Sequence, residues 1–224
     1  MERVWHGLAA LSRAAIVAGA ALLFAAAVIV TAEVLIRKAI PDFIDLVGWI
    51  ARSPNLGIGL KLWVRDHLTF SGSDEISGYL FAVGTSWSLS HALVTRGHVR
   101  IDALYGGLPP AVRAWFDLVA LVCLAVFVGA LVERAWDVST TNLIEYNRSN
   151  TNLRVPLAWA QLPWMAGIVL FFTTMVVAIL RTIGFLARGD YAAVNAIAGA
   201  SSQDEEIESE LKGLGIETPH GGKK

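Results

Sequence analysis

Residues 157–180 read LAWAQLPWMAGIVLFFTTMVVAIL, a run of 24 residues without a charged side chain. An α-helix rises about 1.5 Å per residue, so this run reaches roughly 36 Å, whereas the apolar core of a bilayer is about 30 Å thick. Trp159 and Trp164 lie near its start and Arg181 follows it directly, as is typical of side chains at membrane interfaces. The run therefore predicts a transmembrane helix.

The composition of the whole chain agrees with membrane insertion. Apolar residues make up 55% of the chain and charged residues 17%, against roughly 25% charged in soluble domains. The formal net charge of −1 and the scattered Lys and Arg residues argue against a nucleic-acid partner. The single cysteine, Cys123, allows neither an internal disulfide nor a cysteine metal cluster.

Three further stretches have the length of a membrane span. Ala14–Ala32 is uncharged and longer than the apolar region of a signal peptide, which favours an uncleaved helix. Trp115 and Trp136 bound another stretch and would lie roughly 30 Å apart along a helix. We therefore predict an all-α membrane protein with four transmembrane helices in one domain over residues 1–188. The predicted spans are about 14–36, 75–95, 112–136 and 156–181.

The second predicted span is rich in small and hydroxyl side chains. Gly84 and Ser88 are four residues apart, as are Ser86 and Ser90, so each pair shares a helix face. This small-xxx-small spacing lets two membrane helices approach closely. These four residues are the predicted helix-packing positions, and we expect this helix to face protein on more than one side.

The regions outside the spans differ in character. In the first connection, Phe43, Val47 and Ile50, and then Leu60 and Trp63, recur at helical spacing. This pattern predicts an amphipathic segment in the membrane interface, and the alternative is a loop packed on the protein's own outer surface.

Residues 189–224 are predicted to form a cytoplasmic, partly disordered tail, because they are acidic and then glycine-rich.

Orientation is weakly determined by charge. An even number of spans puts both termini on one side, and Lys and Arg are almost equally divided between the two sides. The short connection from Thr95 to Arg113 has the higher density of arginine, which favours cytoplasmic termini.

No pattern in the chain predicts an enzyme. Only His91 of the five histidines lies within a predicted span, so there is no facing pair for a haem. No zinc-protease, CxxC, P-loop or nucleophile-elbow motif occurs. Glu33, Asp117 and Glu133 fall near predicted interfaces, where charged side chains reach the headgroups. We therefore predict no catalytic, cofactor-binding or metal-binding residues.

The connection after the second span contains the most distinctive motif, RGHVRID at residues 96–102. His98, Arg100 and Asp102 alternate and would share one side of an extended segment. Taken by itself, this is a headgroup-facing loop. Together with Arg37 and Glu75, however, the run resembles the DctQ family, the small membrane subunit of tripartite ATP-independent periplasmic (TRAP) transporters. The resemblance covers about Ala14–Arg37 and Asp74–Arg181. The chain departs from the family pattern in its long first loop and in the lack of a Trp just before the acidic pair Asp74 and Glu75.

The resemblance implies a role in transport. It implies a scaffold in the bacterial inner membrane, with both termini cytoplasmic, for a large multispanning subunit that carries out sodium-coupled symport. The cargo would be an organic acid, a carboxylate such as a C4-dicarboxylate, delivered by a periplasmic binding protein. The motif residues would contact the partner subunit or lipid headgroups: Arg37, Glu75, His98, Arg100 and Asp102. The alternatives are a stand-alone four-helix channel or carrier, and a haem-binding membrane anchor.

Overall fold

The computed structural model describes residues 2–50, 58–63, 72–95, 109–151 and 153–198. Within these ranges every regular element is helical, as predicted. The elements are α1 (Glu2–Val34), a π-helical turn (Leu35–Ala39), α2 (Ile40–Ile50), α3 (58–63), α4 (Ser73–Val94), α5 (Pro110–Ile144), α6 (Ala158–Leu186) and α7 (Tyr191–Ala198).

Among the described residues, three helical stretches are long and apolar enough to cross a membrane: Glu2–Leu46, Ala111–Ile144 and Ala158–Leu186. α4 has 22 residues, which is long enough for a span, but it carries more polar side chains than the other three. The membrane character of the chain is thus supported by three helices, and a fourth crossing by α4 stays a prediction.

The position of α4 in the bundle explains its polar composition. α4 packs against α1 on one side and α6 on the other, while α5 packs on α6. The buried residues of α4 include Ser77, Ser86 and Ser90. Because protein covers α4 on two sides, much of its surface does not need side chains that suit lipid.

The first helix is longer than the predicted span. It runs without a break from Glu2 through the π-helical turn to Ile50, which is roughly 73 Å along the axis. Pro41 has no N–H to donate to the carbonyl of Arg37, and the hydrogen bonding widens to the π pattern at this point. Arg37 and Lys38, which follow the predicted end of the span at about residue 36, therefore lie inside a continuous helix.

The amphipathic segment predicted for the first connection falls partly on described residues. Phe43 and Ile50 of α2 and Trp63 of α3 are exposed, whereas Ile44 is buried. An ion pair between Lys61 and Asp45 joins α3 to α2. Residues 51–57 and 64–71 lie outside the described residues, and the interfacial position of the segment stays a prediction.

The main apolar core lies between α5 and α6. Leu121 and Val128 of α5 pack with Phe171 and Met175 of α6, and Leu93 of α4 closes the cluster. Many large apolar side chains remain exposed on the outer faces of the helices, which suits contact with acyl chains or with another membrane protein.

The packed unit extends past residue 188, into the predicted tail. α7 contacts both α5 and α6, and Val194 is fully buried. Asp190 begins this helix, because its side chain accepts a hydrogen bond from the Ala193 N–H at 3.0 Å. Residues 199–224, where the rest of the predicted tail falls, lie outside the described residues.

Candidate subunit and lipid contact site

Two of the five motif residues fall in the described part of the chain. Arg37 lies in the π-helical turn and Glu75 in the first turn of α4. His98, Arg100 and Asp102 lie in the stretch from 96 to 108, outside the described residues. Their predicted contacts with a subunit or with lipid therefore stay predictions.

Arg37 pairs with an acid of its own helix. Its guanidinium donates to Glu33, one turn earlier, and Glu33 is buried while the Arg37 side chain is 59% exposed. We had expected Glu33 to reach the headgroups, and the structure instead places it inside the protein with a compensating charge. Because a guanidinium has five N–H donors, Arg37 keeps donors for a carboxylate or phosphate outside this chain.

Glu75 ties the head of α4 to the connection between α5 and α6. Its carboxylate accepts hydrogen bonds from the Tyr79 hydroxyl at 2.5 Å and from the Thr151 hydroxyl. At the preceding turn, Gly72 lies so close to the Leu153 side chain that a Cβ atom would overlap it. Glu75 is thus already engaged within the chain.

The connection itself is held by short hydrogen bonds. The Asn142 side chain donates to Gln161 at 2.8 Å, and the Asn147 side chain donates to Asn142 at 2.9 Å. The Ser149 N–H donates to the Val155 carbonyl at 2.9 Å. Glu75 therefore contacts an ordered turn that joins the ends of α5 and α6.

The first small-residue pair of α4 meets α1. A Cβ atom placed on Gly19 would lie 2.7 Å from the Gly84 carbonyl oxygen and 2.9 Å from the Ser88 Oγ. These separations are shorter than real Cβ contacts, so the two backbones touch. Gly84 and Ser88 allow α1 and α4 to approach closely.

The second small-residue pair meets α6. A Cβ atom on Gly167 would lie 2.5 Å from the Ser86 Oγ, and the Ser90 hydroxyl is hydrogen bonded to Thr174 at 2.8 Å. The Trp87 indole N–H also donates to the Pro163 carbonyl at 2.8 Å. Both faces of α4 that carry small residues therefore contact helices of this chain.

A second cluster, at the other end of the bundle, joins the start of α1 to the end of α6. Arg181 is 9% exposed and donates to the Glu2 carboxylate at 2.7 Å. Its guanidinium lies over the Trp5 ring at 4.7 Å and near the Phe185 ring at 5.9 Å. We had interpreted Arg181 only as the end of a span. The three-residue spacing of Glu2 and Trp5, which places them on one helix face, is the signal that could have suggested a partner.

Asp117 and Glu133, the other two acidic residues expected near an interface, differ in exposure. Asp117 is 1% exposed and has an interaction partner within the protein, so the expectation that it reaches the headgroups is wrong. Glu133 is exposed, as expected for an interfacial position. Within the described residues, no group of three or more His, Cys, Asp or Glu residues could hold a metal ion.

Comparison with protein families gives one match. Residues 55–184 match the family model for the DctQ component of tripartite ATP-independent periplasmic transporters. The matched range covers more than half of the 224 residues and includes α4, α5, all but the last two residues of α6, Glu75 and the RGHVRID motif. Comparisons with curated proteins and with solved structures gave no significant match.

Proposed function

Because the chain belongs to the DctQ family of TRAP transporter components, we propose that it is the scaffold subunit that holds a large transporting subunit in the inner membrane. The family is a transporter component and not an enzyme family. The large subunit carries the substrate, and this chain provides a fixed surface beside it. Both termini lie in the cytoplasm.

The close packing of α4 is the observation that carries the proposal. Gly84 touches α1 at Gly19, and Ser86 touches α6 at Gly167, each at separations that leave no room for a Cβ atom. Such contacts fix the relative position of three helices, because none can shift without opening a gap in a packed interior. A scaffold requires a surface that keeps its shape while the partner moves.

The bundle also explains how α4 can be a fourth span. With α1 and α6 on two sides, its hydroxyl groups bond within the protein, as in the pair between Ser90 and Thr174. A polar helix that is satisfied in this way does not expose unpaired groups to lipid. The outer faces of α1 and α5 remain apolar and exposed, and they are available to lipid and to the large subunit.

The membership of the DctQ family supports a proposal for the class of substrate. We infer sodium-coupled symport of an organic acid, a carboxylate such as a C4-dicarboxylate, delivered by a periplasmic binding protein. Arg37, Glu75, His98, Arg100 and Asp102 contact the large subunit or lipid headgroups. The amphipathic segment of the first connection lies in the outer membrane interface, with the exposed Trp63 of α3 toward the lipid.

Co-purification tests the proposal. The tagged chain is solubilised from native membranes, and the associated chains are identified by mass spectrometry. The expected result is one large multispanning subunit, absent when an unrelated tagged membrane protein is used.

Reconstitution then separates the scaffold from a stand-alone carrier. Vesicles with both subunits and the binding protein should accumulate the organic acid only in the presence of sodium. Transport by vesicles that contain this chain alone would refute the scaffold role.

A further inference from the structure

A groove lies at the end of the bundle where α1 begins and α6 ends. It has a volume of about 450 Å³ and is lined by Glu2, Leu180, Arg181, Gly184, Phe185 and Arg188. Arg181 and Gly184 are three residues apart on one face of α6, and Arg188 follows in the turn after the end of this helix. A Cβ atom on Gly184 would meet no other atom within 4 Å. The two arginines therefore flank open space.

The groove has more hydrogen-bond donors than acceptors. Arg181 uses one nitrogen to bond Glu2, while its Nε and Nη1 have no acceptor in the described part of the chain. Arg188 is exposed and has no ion pair with any described residue. Buried N–H groups without an acceptor are costly, most of all on a charged side chain. The groove therefore holds two guanidinium groups but one carboxylate, and this excess of positive charge favours the binding of an anion.

The wall of the groove is apolar on the side nearer the membrane. Leu180 is 47% exposed and ends the uncharged run that begins at residue 157. Arg181 follows directly on α6, and Arg188 lies in the turn just beyond the end of this helix. The groove therefore lies at the depth where acyl chains give way to headgroups.

From this combination we propose that the groove binds the phosphate group of an anionic phospholipid. Arg188 and Arg181 contact the phosphate oxygens above Gly184, since a guanidinium can donate two parallel N–H bonds to a phosphate. Leu180 and Phe185 contact the acyl chains. A soluble phosphate ion would use the arginines but would leave the apolar wall uncovered, which favours the lipid. The proposal goes beyond the scaffold role and does not depend on it.

Native mass spectrometry of the purified full-length chain tests this site. The probes are phosphatidylglycerol and phosphatidylcholine at equal concentration, with inorganic phosphate as a competitor. The wild-type chain should retain phosphatidylglycerol in preference to phosphatidylcholine, and millimolar phosphate should not displace it.

Two substitutions probe charge and space separately. Arg188→Gln removes one guanidinium, and Gly184→Leu places a side chain in the open space, where its Cβ atom meets no other atom within 4 Å. Each should weaken retention of phosphatidylglycerol about tenfold, the equivalent of losing one charge-assisted hydrogen-bond pair. Arg13→Gln is the charge-matched control, because Arg13 lies on α1 outside the groove and donates to its own helix.

Three outcomes would overturn the proposal. The first is equal retention of the two lipids by the wild-type chain, and the second is unchanged retention of phosphatidylglycerol in both Arg188→Gln and Gly184→Leu. The third is displacement of the lipid by inorganic phosphate, which would assign the arginines to a soluble anion. Circular dichroism of each variant confirms that it is folded.

Discussion

Gly19 of α1 and Gly84 of α4 face each other across a close backbone contact between the two helices. A Cβ atom on either glycine would lie 2.7 Å from the carbonyl oxygen of the other. We first predicted from sequence that Gly84 lies at a helix-packing face, and the structure identifies the neighbouring helix as part of the same chain.

This contact predicts a loss of stability for Gly84→Ala. The added methyl group overlaps the Gly19 backbone, and overpacking of this kind costs about 1–3 kcal/mol. Thermal unfolding of the purified chain in detergent measures the effect. Gly78→Ala is the matched control, since Gly78 is on the same helix and a Cβ atom there meets nothing within 4 Å. Equal melting temperatures for the two variants would contradict the close contact.

The hydrogen bond between Glu75 and Thr151 predicts local loosening when it is removed. Thr151→Val keeps the shape of the side chain but loses the donor, so amide hydrogen exchange in residues 147–155 should become faster. Glu75→Ala should have at least as large an effect, because it also removes the bond from Tyr79, and the double variant should resemble Glu75→Ala, since the bond to Thr151 is already lost. Thr140→Val is the control, as the Thr140 hydroxyl donates within its own helix. Additive effects of the two variants would argue against the bond.

The Arg181 cluster predicts that lysine cannot replace this arginine. Arg181→Lys keeps the charge but loses the flat guanidinium that lies over Trp5 and bonds Glu2. We expect a destabilisation of about 1–2 kcal/mol and faster hydrogen exchange in the first turns of α1. Arg13→Lys should change neither quantity. An unchanged melting temperature for Arg181→Lys would show that the stacking contributes nothing.

Orientation in the membrane can be tested with reporter fusions. A reporter at Lys224 and one inserted between residues 147 and 152 should report opposite sides of the membrane, with Lys224 in the cytoplasm. Only the predicted span of α6 lies between the two sites, so its crossing requires opposite sides, and the arginine-rich connection from Thr95 to Arg113 sets the direction. Both reporters on the same side would refute the four-span topology.

The RGHVRID motif predicts defects of assembly. Arg100→Ala should lower the amount of complex with the large subunit, because the arginine can bind a carboxylate or phosphate bidentately. Asp102→Asn should do the same more mildly. Reconstituted transport is normalised to assembled complex, and its sodium dependence is measured in parallel.

The motif variants are compared with an arginine substitution outside the motif. Arg134→Ala should leave assembly unchanged, since Arg134 is exposed and its ion pair is with Asp137 of its own helix. Normal complex yield with abolished transport, or with altered sodium dependence, would assign the motif a direct part in transport.

Sequence reasoning recovered the features that depend on local pattern. The long apolar runs of α5 and α6 predict helices by themselves, and the spacing of Gly84 and Ser88 predicts a close helix contact. The partner helix could not be predicted in the same way, because the pattern on α4 does not distinguish α1 from a helix of another protein.

Features that depend on distant residues were missed for a physical reason. Arg181 and Glu2 are 179 positions apart, and Glu75 and Thr151 are 76 apart, so neither pair leaves a periodic signal. The end of the first span was placed at the charges of Arg37 and Lys38. A charged residue, however, marks a change of solvent and does not by itself end a helix.

The continuous helix from Glu2 to Ile50 has a mechanical consequence. About 46 Å of it lies beyond Gly19, where α1 is clamped against α4. A rotation of about 5° around that clamp would displace Ile50 by roughly 4 Å, given the same helical rise. We therefore expect that a methyl group added at Gly19 or Gly84, by changing the tilt of α1, would displace the end of α2 more than the contact itself.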